Sequence, residues 1–189
     1  MDELRNGYKW IPKENRKKIL LVCDDIRMNS GVATMGREIV LNTCHYFNWV
    51  VIGGAIRHPD KGKIFDMAQT TEQETGVKDV YVKLYPVDDY GNQQIIRELI
   101  NLEKPNAIVA YTDPRFFLWL FHMENEIRQK IPMFYYSIWD DVPYPYWNKS
   151  YYESCDLHMC ISKQTKNIVR NVLGEENVMD LDAILKREK

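Results

Sequence analysis

Short apolar runs rich in β-branched residues recur roughly every 25–30 residues along this chain, and helical patterns fill the gaps. This rhythm constrains the fold more than any single motif does. Strands joined by helices run parallel, their crossovers are right-handed, and the sheet they build is covered by helices. Residues 18–23, 49–53, 79–85, 107–111, 132–138 and 157–161 are the predicted strands, and 177–181 are a candidate seventh. The 79–85 run alternates polar and apolar residues, which places it nearer a sheet edge.

The intervening helices are legible from their spacing. After Gly31, the residues Val32, Met35, Ile39, Val40 and Thr43 recur on one helical face. Ile95, Ile96, Leu99, Ile100 and Leu102 form another, which ends at Lys104 because the residue before Pro105 leaves the α region. Helices are predicted over 116–127 and 146–154. Ser162 reads as the N-cap of a last helix carrying Ile168, Val169, Val172 and Leu173, with Gly174 as its stop. Residues 58–78 read as a long polar loop with a short helix at 65–68. The expected architecture is α/β: a doubly wound, Rossmann-like parallel sheet of six to seven strands flanked by helices, over residues 17–181. Residues 1–16 form an N-terminal extension and 182–189 a charged tail.

A chain of 189 residues, 45% hydrophobic, is long enough and apolar enough for one cored domain. No stretch is long and apolar enough for a transmembrane segment, and the charged first sixteen residues lack the apolar core of a secretory leader. A formal charge of −2 does not favour a nucleic-acid partner, which calls for a basic surface. The four cysteines, Cys23, Cys44, Cys155 and Cys160, read as reduced thiols of a cytoplasmic protein. Cys155, His158 and Cys160 lie close together, but a strand puts Cys155 on the face opposite the other two. With no second cluster at ligand spacing, neither a metal nor a cofactor is expected.

In a parallel α/β sheet, ligands bind beyond the carboxyl ends of the strands, near the reversal of strand order. The strand ends here carry Asp24 and Asp25, Gly53 and Gly54, Thr112 and Asp113, Asp140 and Asp141, and Ser162. Ser30 and Gly31 open the first helix, either as a simple turn or as a cradle for a phosphate at the helix N-terminus. Asp140 and Asp141 read as base, charge stabiliser or sugar binder, or as a solvated turn before Pro143. Asp113 is an N-cap with Pro114 at the first helical position, and Arg115 faces either the cleft or solvent. Tyr135, Tyr136, Trp139, Tyr144, Tyr146, Trp147, Tyr151 and Tyr152 crowd one short stretch. Such rings suit a half-wet cleft, although some must pack on the sheet. His45, His58 and His122 read as surface or rim residues.

Taken in order, these features resemble the N-terminal, acceptor-side domain of GT-B glycosyltransferases, above all the retaining family 4 group. The likeness rests on the 18–23 run followed by Ser30-Gly31 and Arg37-Glu38-Ile39-Val40, and on Thr112-Asp113-Pro114 where the family shows a His-Glu-Pro-like turn. It continues in Ile138-Trp139-Asp140-Asp141, where the family shows a His-Asp-like pair, and in Cys155-Asp156-Leu157 leading to Ile161-Ser162-Lys163. Trp139 or Asp140 stands where the family has its histidine. The resemblance implies a nucleotide-diphospho-sugar donor and an acceptor of unknown identity. It implies Asp140 and Asp141 as catalytic groups, with Ser30, Gly31, Asp113, Arg115, Trp139 and Tyr144 as substrate-binding ones. It also implies a C-terminal donor-binding domain or partner subunit, against which Trp139, Tyr144 and Trp147 would form an exposed aromatic patch.

Two other classes fit parts of the sequence. A non-catalytic interaction or acceptor-presenting subunit would use the same fold. A receiver-like signalling domain would use Asp24 and Asp25 as an acidic pair, with an aspartate near Pro86 as its phosphorylation site.

Overall fold

The computed structural model describes residues 4–5 and 8–174. A short antiparallel hairpin, Leu4–Arg5 with Tyr8–Lys9, precedes the main body. The elements then follow as β1 (Lys17–Asp24), α1 (Gly31–Thr43), β2 (Phe47–Gly54), β3 (Phe65–Asp66), α2 (Ala68–Thr75), β4 (Val82–Pro86) and α3 (Gln93–Glu103). After them come β5 (Ala107–Tyr111), α4 (Leu118–Phe121), α5 (Glu124–Ile127), β6 (Met133–Ser137), α6 (Lys149–Glu153), β7 (Leu157–Cys160) and α7 (Lys163–Leu173).

The seven strands form one sheet in the order β3-β4-β2-β1-β5-β6-β7, parallel except where the two-residue β3 pairs antiparallel with β4. Taken without β3, the parallel strands lie third, second, first, fourth, fifth, sixth in chain order, which is the order of Rossmann sheets. The reversal falls between β1 and β5, registered Ile19 to Ala107 through Val22 to Ala110. A receiver has the different order 2-1-3-4-5.

Alternation along β1 divides the core. Leu20 and Val22 join Ile96, Leu99, Phe117, Phe121, Ile168 and Val172 on the face covered by α3 to α7. Ile19, Leu21 and Cys23 join Val40, Val82 and Val109 on the face covered by α1 and α2. On that second face Phe134, Tyr136 and Met159 are only partly buried, because α1 and α2 lie over the β4-β2-β1 half.

The sequence reading needs three corrections. Residues 58–78 contain the edge strand β3 and the helix α2, where a loop with a helix at 65–68 was expected. The 65–68 stretch is too apolar at Phe65 and Met67 to stay free, and it adds to the open edge of β4. The third parallel strand starts at Val82, since Asp79 takes a positive φ of 53°. The single helix expected at 116–127 is three short turns, a 3-10 turn at Pro114–Phe117 followed by α4 and α5. The candidate strand at 177–181 and the tail lie outside the described residues. Ser162 does cap α7, accepting from the Thr165 N–H, and Asn92 caps α3 in the same way.

The amino edge of the sheet is organised by one buried carboxylate. Glu103, at the end of α3, accepts from Lys18 Nζ at 2.8 Å, Tyr81 Oη at 2.6 Å and Tyr85 Oη at 2.5 Å, and Lys83 Nζ lies 3.3 Å away. Lys13, Lys18 and Lys83 all stand over the Tyr81 ring. Burial pushes the Glu103 carboxyl up, but the Lys18, Tyr81 and Tyr85 hydrogen bonds and the Lys18 charge outweigh it and hold it at about 2. Residues 10–16 pack onto this edge. The buried Arg16 guanidinium donates to the Ile11 and Asp79 carbonyls.

Three substitutions test this packing. A Cβ on Gly54 would sit 1.8 Å from the Asp89 carbonyl oxygen, so Gly54→Ala must displace backbone and should cost about 2–3 kcal/mol or more in urea unfolding. A Cβ on Gly31 meets nothing within 4 Å, so Gly31→Ala should stabilise by about 0.5–1 kcal/mol. Because the Glu103 carboxyl titrates lower in the folded chain, its contribution is complete above the unfolded value of 4.5 and is lost as pH falls towards 2. That contribution is at most about 3 kcal/mol, reduced by solvent around the lysines. Denaturant melts of wild type and Glu103→Gln between pH 6 and pH 2 should therefore converge as the pH falls.

Candidate functional site

The carboxyl ends of β1, β2, β5 and β6 carry the candidate residues to one edge of the sheet. Asp24 and Asp25, where β1 ends, are both buried, at 6% and 0% exposure. Two adjacent carboxylates persist at such a place only if each is fully partnered. Asp24 accepts from Ser30 Oγ at 2.5 Å and from Tyr90 Oη at 2.7 Å. Burial, then the bond to Asp24, pushes the Tyr90 phenol well up. Asp25 is clamped by Arg27, whose Nε and Nη2 reach its two oxygens at 3.0 and 2.7 Å and whose backbone N–H donates at 2.8 Å. His58 Nε2 donates to Asp25 Oδ2 at 2.8 Å, while His58 Nδ1 accepts from the Asp60 N–H at 3.1 Å. Burial pushes the Asp25 carboxyl up, but the Arg27 bonds and charge, with His58, prevail and hold it below the usual range.

These contacts revise the reading of several residues. His58 is 9% exposed and bonded through both ring nitrogens, so it is a buried strut and not a rim residue. Its partners lie 33 and 2 residues away in the chain, and no sequence periodicity marks it. The Asp24 and Asp25 oxygens are engaged by Ser30, Tyr90, Arg27 and His58, and Asp88 is paired with Lys61. The strand order is not that of a receiver, and among the described residues these carboxylates are taken up by partners inside the protein. Ser30 caps α1 through Oγ, which accepts from the Ala33 N–H and donates to Asp24. What its loop offers a ligand is therefore backbone: the Ala33 and Thr34 N–H groups are taken by the Ser30 hydroxyl and carbonyl, which leaves those of Gly31 and Val32 at the helix start.

Across the β1/β5 reversal lies a second group. Asp113 follows β5, caps the 3-10 turn by accepting from the Arg115 N–H, and receives the Arg115 guanidinium at 2.5–3.1 Å. Burial pushes the Asp113 carboxyl up, but these Arg115 bonds bring it below its usual range. The loop after β6 is tied to α7 at one point and closed on itself at another. Gln164 Nε2 on α7 donates to the Asp140 carbonyl at 2.8 Å, and Trp139 Nε1 donates to the Asp141 carbonyl at 3.2 Å. Pro114, Asp113, Arg115, Tyr135, Ile138, Trp139, Asp140 and Asp141 enclose a cavity of about 270 Å³. Asp140 and Asp141 are exposed, and no cation pairs with either among the described residues. Tyr144 is not a lining residue of this cavity; it stacks edge-on with Tyr146 at 6.3 Å.

The aromatic cluster splits in two. Tyr135 and Tyr152 are core, at 0% and 1% exposure, with Tyr151 stacked on Phe121. Tyr146 and Trp147 are more than half exposed, next to Val142 at 65%, while Trp139 and Tyr144 are half-buried. An exposed aromatic patch on the carboxyl edge is thus present. No group of three or more His, Cys, Asp and Glu residues among the described ones converges at metal distance. His158 instead donates Nε2 to the Tyr152 carbonyl, and burial pushes the Cys155 thiol up to about 12. No described helix is long and apolar enough to cross a membrane. Comparison with protein families, curated proteins and solved structures gave no match.

The carboxylates of this edge therefore fall into two kinds, and mutation separates them. Asp25→Asn removes the buried charge that Arg27 and His58 grip, but Arg27 keeps Asp60 and solvent, so it should cost about 1–3 kcal/mol. Asp141→Asn, at an exposed position, should change stability by less than about 0.5 kcal/mol. Urea titrations of the two variants beside wild type check both values.

Proposed function

We propose that this chain is the acceptor-side half of a GT-B glycosyltransferase of the family 4 type, moving a sugar from a nucleotide-diphospho-sugar to an acceptor hydroxyl with retention. The observation that carries the reading is a juxtaposition on one sheet edge. On one side of the strand-order reversal stands the open start of α1 at Gly31; on the other lies the cavity with Trp139 and two unpaired carboxylates. A departing diphosphate gains from backbone N–H groups and the helix dipole at the first place. An acceptor hydroxyl and the positive charge that develops on the sugar ring gain from Asp140 and Asp141 at the second. Arg115, drawn onto Asp113, lines the acceptor side and leaves the diphosphate to backbone donors. The second nucleotide-binding wall would come from a further domain or subunit, seated on the exposed Tyr146, Trp147 and Val142 surface, and closure would exclude water.

That same exposed surface favours a second reading, a non-catalytic subunit that presents an acceptor to a partner. The two readings part at α1. Titrating isotopically labelled protein with UDP-, GDP- and ADP-sugars should move the amide signals of Gly31 to Thr34 most, with weak, roughly millimolar affinity for one of them. An absence of shifts at those amides with every donor would favour the presenting subunit and overturn the transferase. Micromolar binding would overturn the division of labour between two halves.

A further inference from the structure

The cavity beneath the 138–141 loop has a chemistry specific enough to name its ligand class. Three carboxylates, Asp113, Asp140 and Asp141, line it against one guanidinium, Arg115, and Arg115 is already committed to Asp113. An anionic ligand would meet two uncompensated negative charges and no free cation among the lining residues. Phosphorylated or uronic acceptors, anionic lipid headgroups and nucleic acids all carry that penalty. Asp140 and Asp141 are good acceptors for ligand hydroxyl groups, and a carboxylate can take two hydroxyls at once.

The remaining walls are apolar: Pro114, Tyr135, Ile138 and Trp139. Trp139 lines the cavity, packs edge-on against Trp147 at 6.2 Å, and has the Arg115 guanidinium 5.9 Å from its centroid. Its orientation is favoured before any ligand arrives, because Gln164 on α7 holds the Asp140 carbonyl and the Trp139 indole N–H closes onto the Asp141 carbonyl of the same loop. A preorganised aromatic face beside hydroxyl acceptors favours a ring with one apolar face and polar edges. A volume of about 270 Å³ suits one such ring.

We infer that this cavity binds an uncharged or amino-bearing sugar ring, stacked on Trp139 and hydrogen-bonded to Asp140 and Asp141, and that it rejects anionic sugars. The inference rests on the transferase reading for its role as an acceptor site, but not for the binding itself. The test is a titration of the 189-residue chain, followed by amide shifts, with glucose, N-acetylglucosamine and glucosamine against glucuronate and glucose 6-phosphate. The neutral and amino sugars should shift amides at 113–115 and 138–141, and the anionic ones should bind about tenfold more weakly or less. Trp139→Ala should weaken sugar binding about tenfold. Asp141→Lys, at an exposed position where folding is not at risk, should reverse the preference and bring glucose 6-phosphate ahead of glucose.

Equal or tighter binding of the anionic sugars to wild type would overturn the inference. So would sugar shifts confined to other residues, an unchanged preference in Asp141→Lys, or no binding by any sugar at high millimolar concentration. Nucleotide sugars added in parallel keep the two readings apart. Sugar shifts at the cavity without donor shifts at Gly31 to Thr34 leave this inference standing and remove the transferase. Donor shifts without sugar shifts do the opposite.

Discussion

The carboxyl edge is built on two adjacent buried carboxylates at the end of β1. Placing Asp24 and Asp25 side by side away from water is costly unless each is matched by donors, and the four matching donors come from three separate segments. Asp24 holds the Ser30 cap of α1 and the Tyr90 hydroxyl before α3. Asp25 holds Arg27 in the β1–α1 loop and His58 after β2. Arg27 lies over the Phe65 ring of β3 and reaches Asp60 as well, so the edge strand is joined to the same hub. Loops that would otherwise move independently are referenced to one point.

That arrangement determines which groups are left for a ligand. The β1 pair, which in isolation has the look of a catalytic or metal-binding dyad, spends its hydrogen-bonding capacity inside the protein. Asp113 is likewise satisfied by Arg115. Asp140 and Asp141 remain without a cation among the described residues, on a loop tied to α7 by Gln164, with Asp141 Oδ1 accepting only the Val142 N–H beside it. A site of this kind combines a tethered loop with carboxylates that no cation neutralises, which is what recognition of a small polar ring requires. The amino edge shows the opposite use of charge. Glu103 gathers Lys18, Lys83, Tyr81 and Tyr85 into a closed network that ties α3 to the starts of β1 and β4. One edge of the sheet is electrostatically sealed, and the other is sealed only on the β1 side.

Much of this molecule was determined by its sequence alone. Buried parallel strands need continuous apolar runs, and those at 18–23 and 107–111 are therefore legible to within a residue or two. Caps are local chemistry, so Ser162, Asp113 and the stop at Gly174 could be read without a structure. The placement of Gly31, Asp113 and Asp140 on a common edge followed from the parallel strands that βαβ units impose.

Only the tertiary structure decided what those residues do. His58 becomes a buried partner of Asp25 because β1 and β2 are adjacent, a contact between residues 33 apart that no local pattern encodes. Phe65 and Asp66 become a strand because β4 has an open edge, and two residues are too few to carry a periodicity of their own. The split of the aromatic cluster into core and surface rings depends on how α6 lies on β6, not on composition. Sequence placed the chemistry at the right end of the sheet through the parallel strands that βαβ units impose. Which carboxylates are consumed there and which stay free depends on long-range pairing, because a buried charge is defined by its partners rather than by its neighbours in the chain.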